Sequence, residues 1–169
     1  MQRSGCAGYF YLTLAVCLVL VLCLLGGCAA TKAPEAMQVS CQDIVFTVPG
    51  DFLDLSSEDY ASDTEFMYGR GTLVFTGMAE RKDSLIDMDL AQYTGYVIST
   101  NGVQATAEKS GNGYRFSYEK QVGGSLYAYV VQTFEGPSSF WIFQFYCPKE
   151  NLQENLPYIN VISDAVQAA

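Results

Sequence analysis

The cysteines are the residues of this 169-residue chain whose positions allow the most specific chemistry. They are Cys6, Cys17, Cys23, Cys28, Cys41 and Cys147. A thiolate is a nucleophile and a metal ligand, and two thiols form a disulfide. The chain has no histidine, so it lacks both the commonest base that activates a thiol and the commonest metal ligand. We therefore expect no catalytic cysteine, and we expect the thiols to serve modification, cross-linking or packing.

Cys28 ends a segment that has the order of a secretory signal. Arg3 precedes an apolar run over about residues 7–25, and Leu-Gly-Gly at 25–27 stands directly before the cysteine. The two glycines interrupt the helix and leave an open backbone for a peptidase. The segment resembles the bacterial lipoprotein signal. That resemblance implies cleavage before Cys28, diacylglycerol on its sulfur and a lipid anchor on the extracytoplasmic side of the membrane. The alternatives are a spanning anchor and a simple secreted protein.

The chain is expected to have three parts. They are a signal peptide at residues 1–27, a lipidated cysteine and tether at 28–40, and a single domain at 41–169. Removal of residues 1–27 takes away one arginine and leaves a net charge of −10. Such a surface repels phosphates and anionic lipid head groups. We therefore expect no nucleic-acid partner, and membrane attachment through the lipid alone.

Cys41 and Cys147 lie near the two ends of the expected domain. A disulfide between them is allowed in an exported protein, and closing so long a loop would stabilise the fold by about 4–5 kcal/mol in the chain-entropy model. Two separate buried thiols would also fit, because a free cysteine packs as a small apolar residue. The sequence leaves both possibilities open.

Apolar periodicity predicts an antiparallel sheet and two helices. The predicted strands are 44–48, 66–68, 72–79, 105–110, 114–122, 125–135 and 139–147. Gly123-Gly124 and Gly136-Pro137 separate the last three strands and predict a meander with tight turns. Ile86, Leu90, Tyr93 and Val97 share one face of a helix that begins near Asp87 and ends at Asn101. A second helix covers 152–166, with Pro157 expected to bend it or restart it.

This order resembles the PsbP-type fold, which is found in photosystem extrinsic proteins and DcrB-like bacterial lipoproteins. The resemblance is carried by the residues Phe-Thr-Val-Pro at 46–49 with Phe52, the helix at 90–97, the meander at 114–147 and the closing helix around 159–163. It implies an α+β fold, a PsbP-like α/β/α sandwich in which helices flank both faces of the sheet. It also favours a non-catalytic domain, because members are mostly binding or assembly proteins.

Tyrosines concentrate in the meander and form the main candidate for a binding face. The four candidates are Tyr114, Tyr118, Tyr127 and Tyr129. Aromatic rings stack on sugars, peptides or lipid tails, and they also pack against one another as cross-strand pairs in ordinary sheets. Packing is the commoner use of such residues, but this is where we would first look for a groove.

The carboxylates offer weaker candidates. The acidic stretch at 51–65 has the oxygen ligands that Ca²⁺ prefers, but it lacks the spacing of a calcium loop, so a solvated loop is expected. Asp83, Asp87 and Asp89 would suit acid–base chemistry only in a cleft, and they are better explained as charges at a helix terminus. Neither glycine-flanked turn, at 69–71 or 111–113, has the order of a phosphate loop. We expect no metal and no cofactor.

The sequence therefore predicts a membrane-anchored extracytoplasmic lipoprotein whose domain binds an unidentified protein or small molecule. Two alternatives remain open. One is an envelope hydrolase that uses carboxylates alone, which a buried acid pair in a cleft would favour. The other is a structural subunit of a membrane complex, which a large exposed apolar patch would favour.

Overall fold

A computed structural model describes residues 35–58, 64–85 and 87–169. The strands of this part are β1 (Met37–Cys41), β2 (Ile44–Val48), β3 (Leu53–Asp54), β4 (Phe66–Arg70), β5 (Leu73–Arg81), β6 (Glu108–Ser110), β7 (Gly113–Val122), β8 (Ser125–Glu135), β9 (Ser139–Pro148) and β10 (Gln167–Ala168). The helices are α1 (Leu90–Thr100) and α2 (Leu152–Asp164). Short 3₁₀ turns cover Lys82–Ser84 and Lys149–Asn151.

Seven strands form the larger sheet, in the order β3-β4-β5-β9-β8-β7-β6, and every pair is antiparallel. The predicted meander is confirmed, because β7, β8 and β9 are neighbours joined by tight turns. Gly123 and Gly124 have φ angles of 58° and 88°. These left-handed values suit a two-residue hairpin turn and explain why glycine stands there. The predicted strand at 105–110 is shorter in the structure, where β6 begins at Glu108.

A second sheet of three strands, β1-β2-β10, was not expected. Its first strand, β1, begins at Met37, so residues 37–40 belong to this sheet and not to the predicted tether at 28–40. The side chains of β1 are mostly exposed, which explains why no apolar pattern announced the strand. Residues 1–34, with the predicted signal peptide and Cys28, lie outside the described part of the chain.

The larger sheet is apolar on both sides, and each side has its own core. In β9, Trp141, Phe143 and Phe145 face the first core, whereas Phe140 and Ile142 face the second. The first core joins them to β2, β4, β5 and α2 through Phe46, Phe66, Phe75, Ile159 and Ile162. The second core joins the sheet to α1 through Leu90, Tyr93 and Val97.

The expectation that helices flank both faces of the sheet is not confirmed. On the side of the first core, residues of α2 and of β2 belong to the same buried cluster, so a helix and a small sheet contribute together. The coarser expectation holds, because the described residues form mainly antiparallel sheet with two helices. Pro157 lies inside the continuous helix α2 and does not restart it.

The start of α1 differs from the prediction. The helix begins at Leu90, with Asp89 as its N-cap. The Asp89 carboxylate accepts a hydrogen bond from the Gln92 amide at 2.8 Å, and the Asp89 amide donates to the Gln92 side chain at 2.9 Å. This capping box satisfies two donors that the helix leaves free. Asp87 has φ 58°, which lies outside helical geometry and places this residue before the helix.

Candidate functional site

The four predicted tyrosines lie on one side of the larger sheet. In the β7–β8 register Tyr118 is opposite Tyr129, Tyr127 is opposite Lys120 and Tyr114 is opposite Thr133. Residues directly opposite each other in an antiparallel pair share a face, and positions two apart along a strand also share it. All four side chains are half-buried. They lie on the side of the second core and of α1.

Three tyrosines form a stack across neighbouring strands, which we call the tyrosine ladder: Tyr118, Tyr129 and Tyr146. The Tyr118 and Tyr129 ring centroids are 4.8 Å apart with an interplanar angle of 3°. Tyr129 and Tyr146 are 5.6 Å apart at 25°. Sequence reasoning missed Tyr146, although the register places it directly opposite Tyr129. The ladder therefore spans β7, β8 and β9.

Stacking determines what the ladder presents to a partner. The ring faces of Tyr118 and Tyr129 stack on each other, so the ladder exposes ring edges and hydroxyl groups more than free ring faces. Burial raises the pKa of Tyr118, and the nearby Tyr129 raises it further. Burial also raises the pKa of Tyr129, with a smaller effect from Tyr127. Both hydroxyls therefore stay protonated at neutral pH and are available as hydrogen-bond donors and acceptors.

The other two predicted tyrosines occupy different places on this side. Tyr127 continues the surface beyond the ladder, opposite Pro148 of β9. Tyr114 lies four residues before Tyr118 on β7, about 14 Å away along the strand, and it packs against the second core. The structure thus brings Tyr118, Tyr127 and Tyr129 into one region with Tyr146 and leaves Tyr114 apart from them along β7, although Tyr118 packs against the second core as Tyr114 does.

Three depressions lie near β7, and Tyr118 of the ladder lines two of them. A small one of about 40 Å³ is lined by Val97 and Asn101 of the α1 end and by Tyr118 and Gln144 of the sheet, among others. That volume has room for one or two water molecules. Two open grooves of about 410 and 430 Å³ follow β7. The first is bounded by residues 101–104 and 118–120, and the second by residues from 106–110 and 115–117.

None of the described carboxylate candidates lines one of the three depressions. Asp83 pairs with Arg81 at 2.7 Å, and both side chains are more than half exposed. Asp89 caps α1, and Asp87 is exposed. In the acidic stretch, the Asp51 carboxylate pairs with Arg70, while residues 59–63 lie outside the description. Within the described residues no group of three or more acidic or cysteine side chains is placed to hold a metal ion.

Cys41 and Cys147 both lie on the side of the first core, Cys147 buried within it and Cys41 packed at its boundary. Both are free thiols in the structure, so the disulfide considered from the sequence is not formed in it. Burial raises the pKa of Cys41, and the carboxylates of Glu65 and Asp43 raise it further. Burial also raises the pKa of Cys147, although a contact with Asn155 opposes this. Protonated thiols of this kind are poor nucleophiles.

The exposed apolar side chains are distributed over several elements. The large ones among the described residues are Met37, Leu53, Tyr96, Val122 and Val161. They stand on β1, β3, α1, β7 and α2 in turn, and single exposed apolar residues are normal on a soluble surface. No helix in the described part of the chain is long and apolar enough to span a bilayer.

Comparison with known proteins identifies the fold. No protein-family model matches the chain, and no curated protein has a significantly similar sequence. Three similar solved structures come from a protein of Bacteroides thetaiotaomicron VPI-5482, from cyanobacterial PsbP (CyanoP) of Synechocystis sp. PCC 6803 and from LpqN, involved in cell envelope biogenesis of Mycobacterium tuberculosis.

The three similarities cover most of this chain at low sequence identity. The Bacteroides protein gives a TM-score of 0.57 at 13% identity over 82% of this chain, which spans only about half (49%) of that protein. CyanoP gives 0.55 at 11% identity, with coverage of 86% of this chain and 99% of CyanoP. LpqN gives 0.53 at 11% identity, with coverage of 80% and 91%. Similarity at this level establishes fold and not activity. The domain has a PsbP-like α+β fold.

Proposed function

We propose that this chain is a lipid-anchored lipoprotein of the bacterial cell envelope whose PsbP-like domain binds a partner at the tyrosine ladder and performs no catalysis. The observation that carries the binding proposal is the ladder itself. Tyr118, Tyr129 and Tyr146 form a partly exposed aromatic stack, and Tyr118 lines one of the two open grooves that follow β7. Tyrosine is enriched in binding surfaces because it combines a large apolar area with a polar tip at small entropic cost.

The anchor is proposed from residues 25–28, Leu-Gly-Gly-Cys, at the end of the apolar leader. The structural similarity to LpqN, a protein involved in cell envelope biogenesis, supports the same location. An acidic body with a net charge of −10 after cleavage has no electrostatic attraction to anionic lipids. Two acyl chains on one cysteine would therefore supply the attachment, which a single chain provides only weakly.

A protein partner suits the site better than a small molecule. Ligand pockets usually have volumes of about 300–1,000 Å³ and enclose most of their ligand. The enclosed depression beside the ladder has a volume of only about 40 Å³, and the two larger grooves are open to solvent. Open grooves next to partly buried aromatic residues are typical of surfaces that contact another polypeptide.

The binding proposal is tested by site-specific photocrosslinking in intact bacterial cells. A benzophenone amino acid replaces Tyr127, which lies beside the ladder, and in a control it replaces Leu53, which is 70% exposed and stands on β3 at the opposite edge of the sheet. We expect a discrete higher-mass adduct from position 127 and none from position 53. Adducts of equal yield from both positions, or none from position 127, would contradict the proposal.

A further inference from the structure

Strand β7 has an open edge over most of its length. β6 pairs with β7 only through the three register positions from Glu108 to Ser110, so in the described part of the chain residues 116–122 of β7 have a strand neighbour on one side only, β8. Unpaired backbone groups along an open edge are a template for another strand, and soluble proteins usually keep such edges short. An open edge of seven residues is therefore long.

The two-residue turn after β7 determines which backbone groups face this edge. Val122 and Ser125 are opposite each other across Gly123-Gly124, and such a turn closes on a hydrogen-bonded pair. Hydrogen-bonded and non-hydrogen-bonded pairs alternate along the strand. The N–H and C=O groups of Ser117, Glu119 and Gln121 therefore point away from β8, toward solvent.

The open grooves follow the same edge. One is lined by 101–104 on one side and 118–120 on the other, and the other is lined by 106–110 and 115–117. The segment between α1 and β6 thus runs beside β7 without pairing to residues 116–122. Of the residues whose backbone groups point outward, Ser117 lines the second groove and Glu119 the first.

Charge selects the kind of strand that would fit. Lys109 and Lys120 lie on the tyrosine side of β6 and β7, whereas Glu108 and Glu119 lie on the opposite side. Glu119 is paired with Lys149 at 2.8 Å. Among the described cations, Lys109, Arg115 and Lys120 are those without an ion-pair partner, and Arg115 donates instead to Gln132 and Asn160. These three cations all lie on β6 and β7 of a chain whose net charge is −9.

From these observations we infer that the open edge of β7 accepts an extended acidic peptide as an additional strand, with its carboxylates directed to Lys109 and Lys120. This inference deepens the proposed function and rests on it, because it takes the domain to be a binding module. Lys109 is opposite Tyr114, six residues before Lys120, so the two lysines are about 20 Å apart along the sheet. A peptide of about seven residues paired with 116–122 would place one acidic residue near Lys120 and another beside the end of β6, where Lys109 stands, with apolar residues facing Tyr118.

A second copy of this chain is a poorer occupant of the edge. Antiparallel pairing of β7 with its own copy would bring four lysines to one side of a single junction, where their like charges repel each other. Backbone pairing gives affinity to any extended strand, while side-chain charge gives the specificity. An acidic peptide satisfies both requirements.

The test measures binding of three labelled peptides to the full-length protein in detergent micelles. Their sequences are ETVTVTE, QTVTVTQ and KTVTVTK, which differ only in the charge of the two ends. We expect the acidic peptide to bind most tightly, with each lysine contributing about threefold at low salt, and the preference to shrink as salt is added. We also expect slower amide hydrogen exchange at Ser117, Glu119 and Gln121 when the acidic peptide is bound.

Proline tests the backbone part of the inference. Ser117→Pro removes an outward-facing N–H and leaves the β7–β8 hydrogen bonds in place, and Ser117→Ala is the matched control. We expect Ser117→Pro to weaken binding of ETVTVTE at least tenfold relative to Ser117→Ala. If Ser117→Pro does not fold, Lys120→Glu provides the test instead. This variant should bind ETVTVTE several-fold more weakly and KTVTVTK several-fold more tightly than the wild type does.

Four outcomes would overturn the inference. They are equal affinity for the three peptides, exchange protection away from the β7 edge, equal binding by Ser117→Pro and Ser117→Ala, and a concentration-dependent dimer that Ser117→Pro abolishes. If any of these outcomes is found while position 127 still gives a crosslink in cells, the proposed binding function stands. Only the inference that an acidic strand pairs with β7 is then contradicted. Charge-selective peptide binding at the edge without a crosslink would remove the tyrosine ladder as the contact surface.

Discussion

The carboxylate of Asp43 connects two distant turns, and its replacement should cost substantial stability. Its Oδ1 accepts a hydrogen bond from Trp141 Nε1 at 2.7 Å. Its Oδ2 accepts from the Ser138 amide at 2.7 Å, the Ser138 hydroxyl at 2.8 Å and the Ser139 amide at 3.0 Å. Asp43 stands between β1 and β2, whereas Ser138 and Ser139 lie at the turn between β8 and β9. The carboxylate therefore ties the small sheet to the larger one.

The size of the effect depends on which of these hydrogen-bond donors would find no water molecule to replace the Asp43 carboxylate. Trp141 is fully buried and Ser139 is 1% exposed, whereas Ser138 is exposed. A buried donor that loses its partner costs about 1–3 kcal/mol, and an exposed donor finds water. Asp43→Ala should therefore destabilise the domain by about 2–4 kcal/mol. Asp43→Asn keeps one acceptor oxygen and should cost about 1–2 kcal/mol.

The effect should also depend on pH. Burial raises the pKa of Asp43, but hydrogen bonds from Trp141, Ser138 and Ser139 outweigh it, so the pKa lies below its usual value of 3.8. A lowered pKa in the folded state means that the charged carboxylate contributes stability above the unfolded pKa, and that this contribution is lost as the pH falls through the folded value. The stability gap between wild type and Asp43→Asn should narrow below about pH 4.

Urea unfolding of the compact unit at residues 34–169 measures both effects. The fluorescence of Trp141, the only tryptophan, reports directly on the Asp43 contact, and circular dichroism reports on the sheet. Asp83→Asn, at an exposed surface pair, is the control and should leave the midpoint unchanged. A free energy of unfolding for Asp43→Ala within about 0.5 kcal/mol of the wild-type value would refute the reasoning. A difference in unfolding free energy between wild type and Asp43→Asn that does not change with pH would refute it as well.

Two further predictions concern glycines and thiols. A Cβ at Gly77 would lie 1.9 Å from the Phe66 ring, so Gly77→Ala should destabilise the domain by about 1–3 kcal/mol. Gly95 lies at an open position in α1, so Gly95→Ala should stabilise the domain by about 0.5–1 kcal/mol. Urea midpoints that move in the same direction for the two variants would be inconsistent with this. When the unit at residues 34–169 is unfolded without reductant, two thiols should become available for labelling, those of Cys41 and Cys147. Labelling that requires a reductant would show a disulfide between them instead.

The sequence was most informative where a side-chain pattern and a turn signal agreed. The meander was predictable because Gly123-Gly124 and Gly136-Pro137 separate long apolar strands. The spacing of Leu90, Tyr93 and Val97 correctly placed α1 against a core. The start of that helix was misplaced because Ile86 continues the same spacing, whereas the helix begins only after Asp89, which caps its N-terminus with a capping box.

The parts that were not predicted depend on contacts between distant residues. Strand β1 has mostly exposed side chains and pairs with β2 through its backbone, so no local pattern marks it. Tyr146 joins the tyrosine ladder only through the register between β8 and β9. The Asp43 tie links residues about a hundred positions apart, and nothing in the local sequence distinguishes this aspartate from the others.

The proposed location depends on Cys28, and the mass of the mature amino terminus tests it most directly. The protein is purified from the membranes of a bacterial host, digested and measured by mass spectrometry, with Cys28→Ala as the control. We expect the amino-terminal peptide to begin at Cys28 and to carry a diacylglyceryl group on sulfur, and we expect the Cys28→Ala chain to remain unprocessed at that bond. A precursor that retains residues 1–27 without added acyl mass would contradict the account.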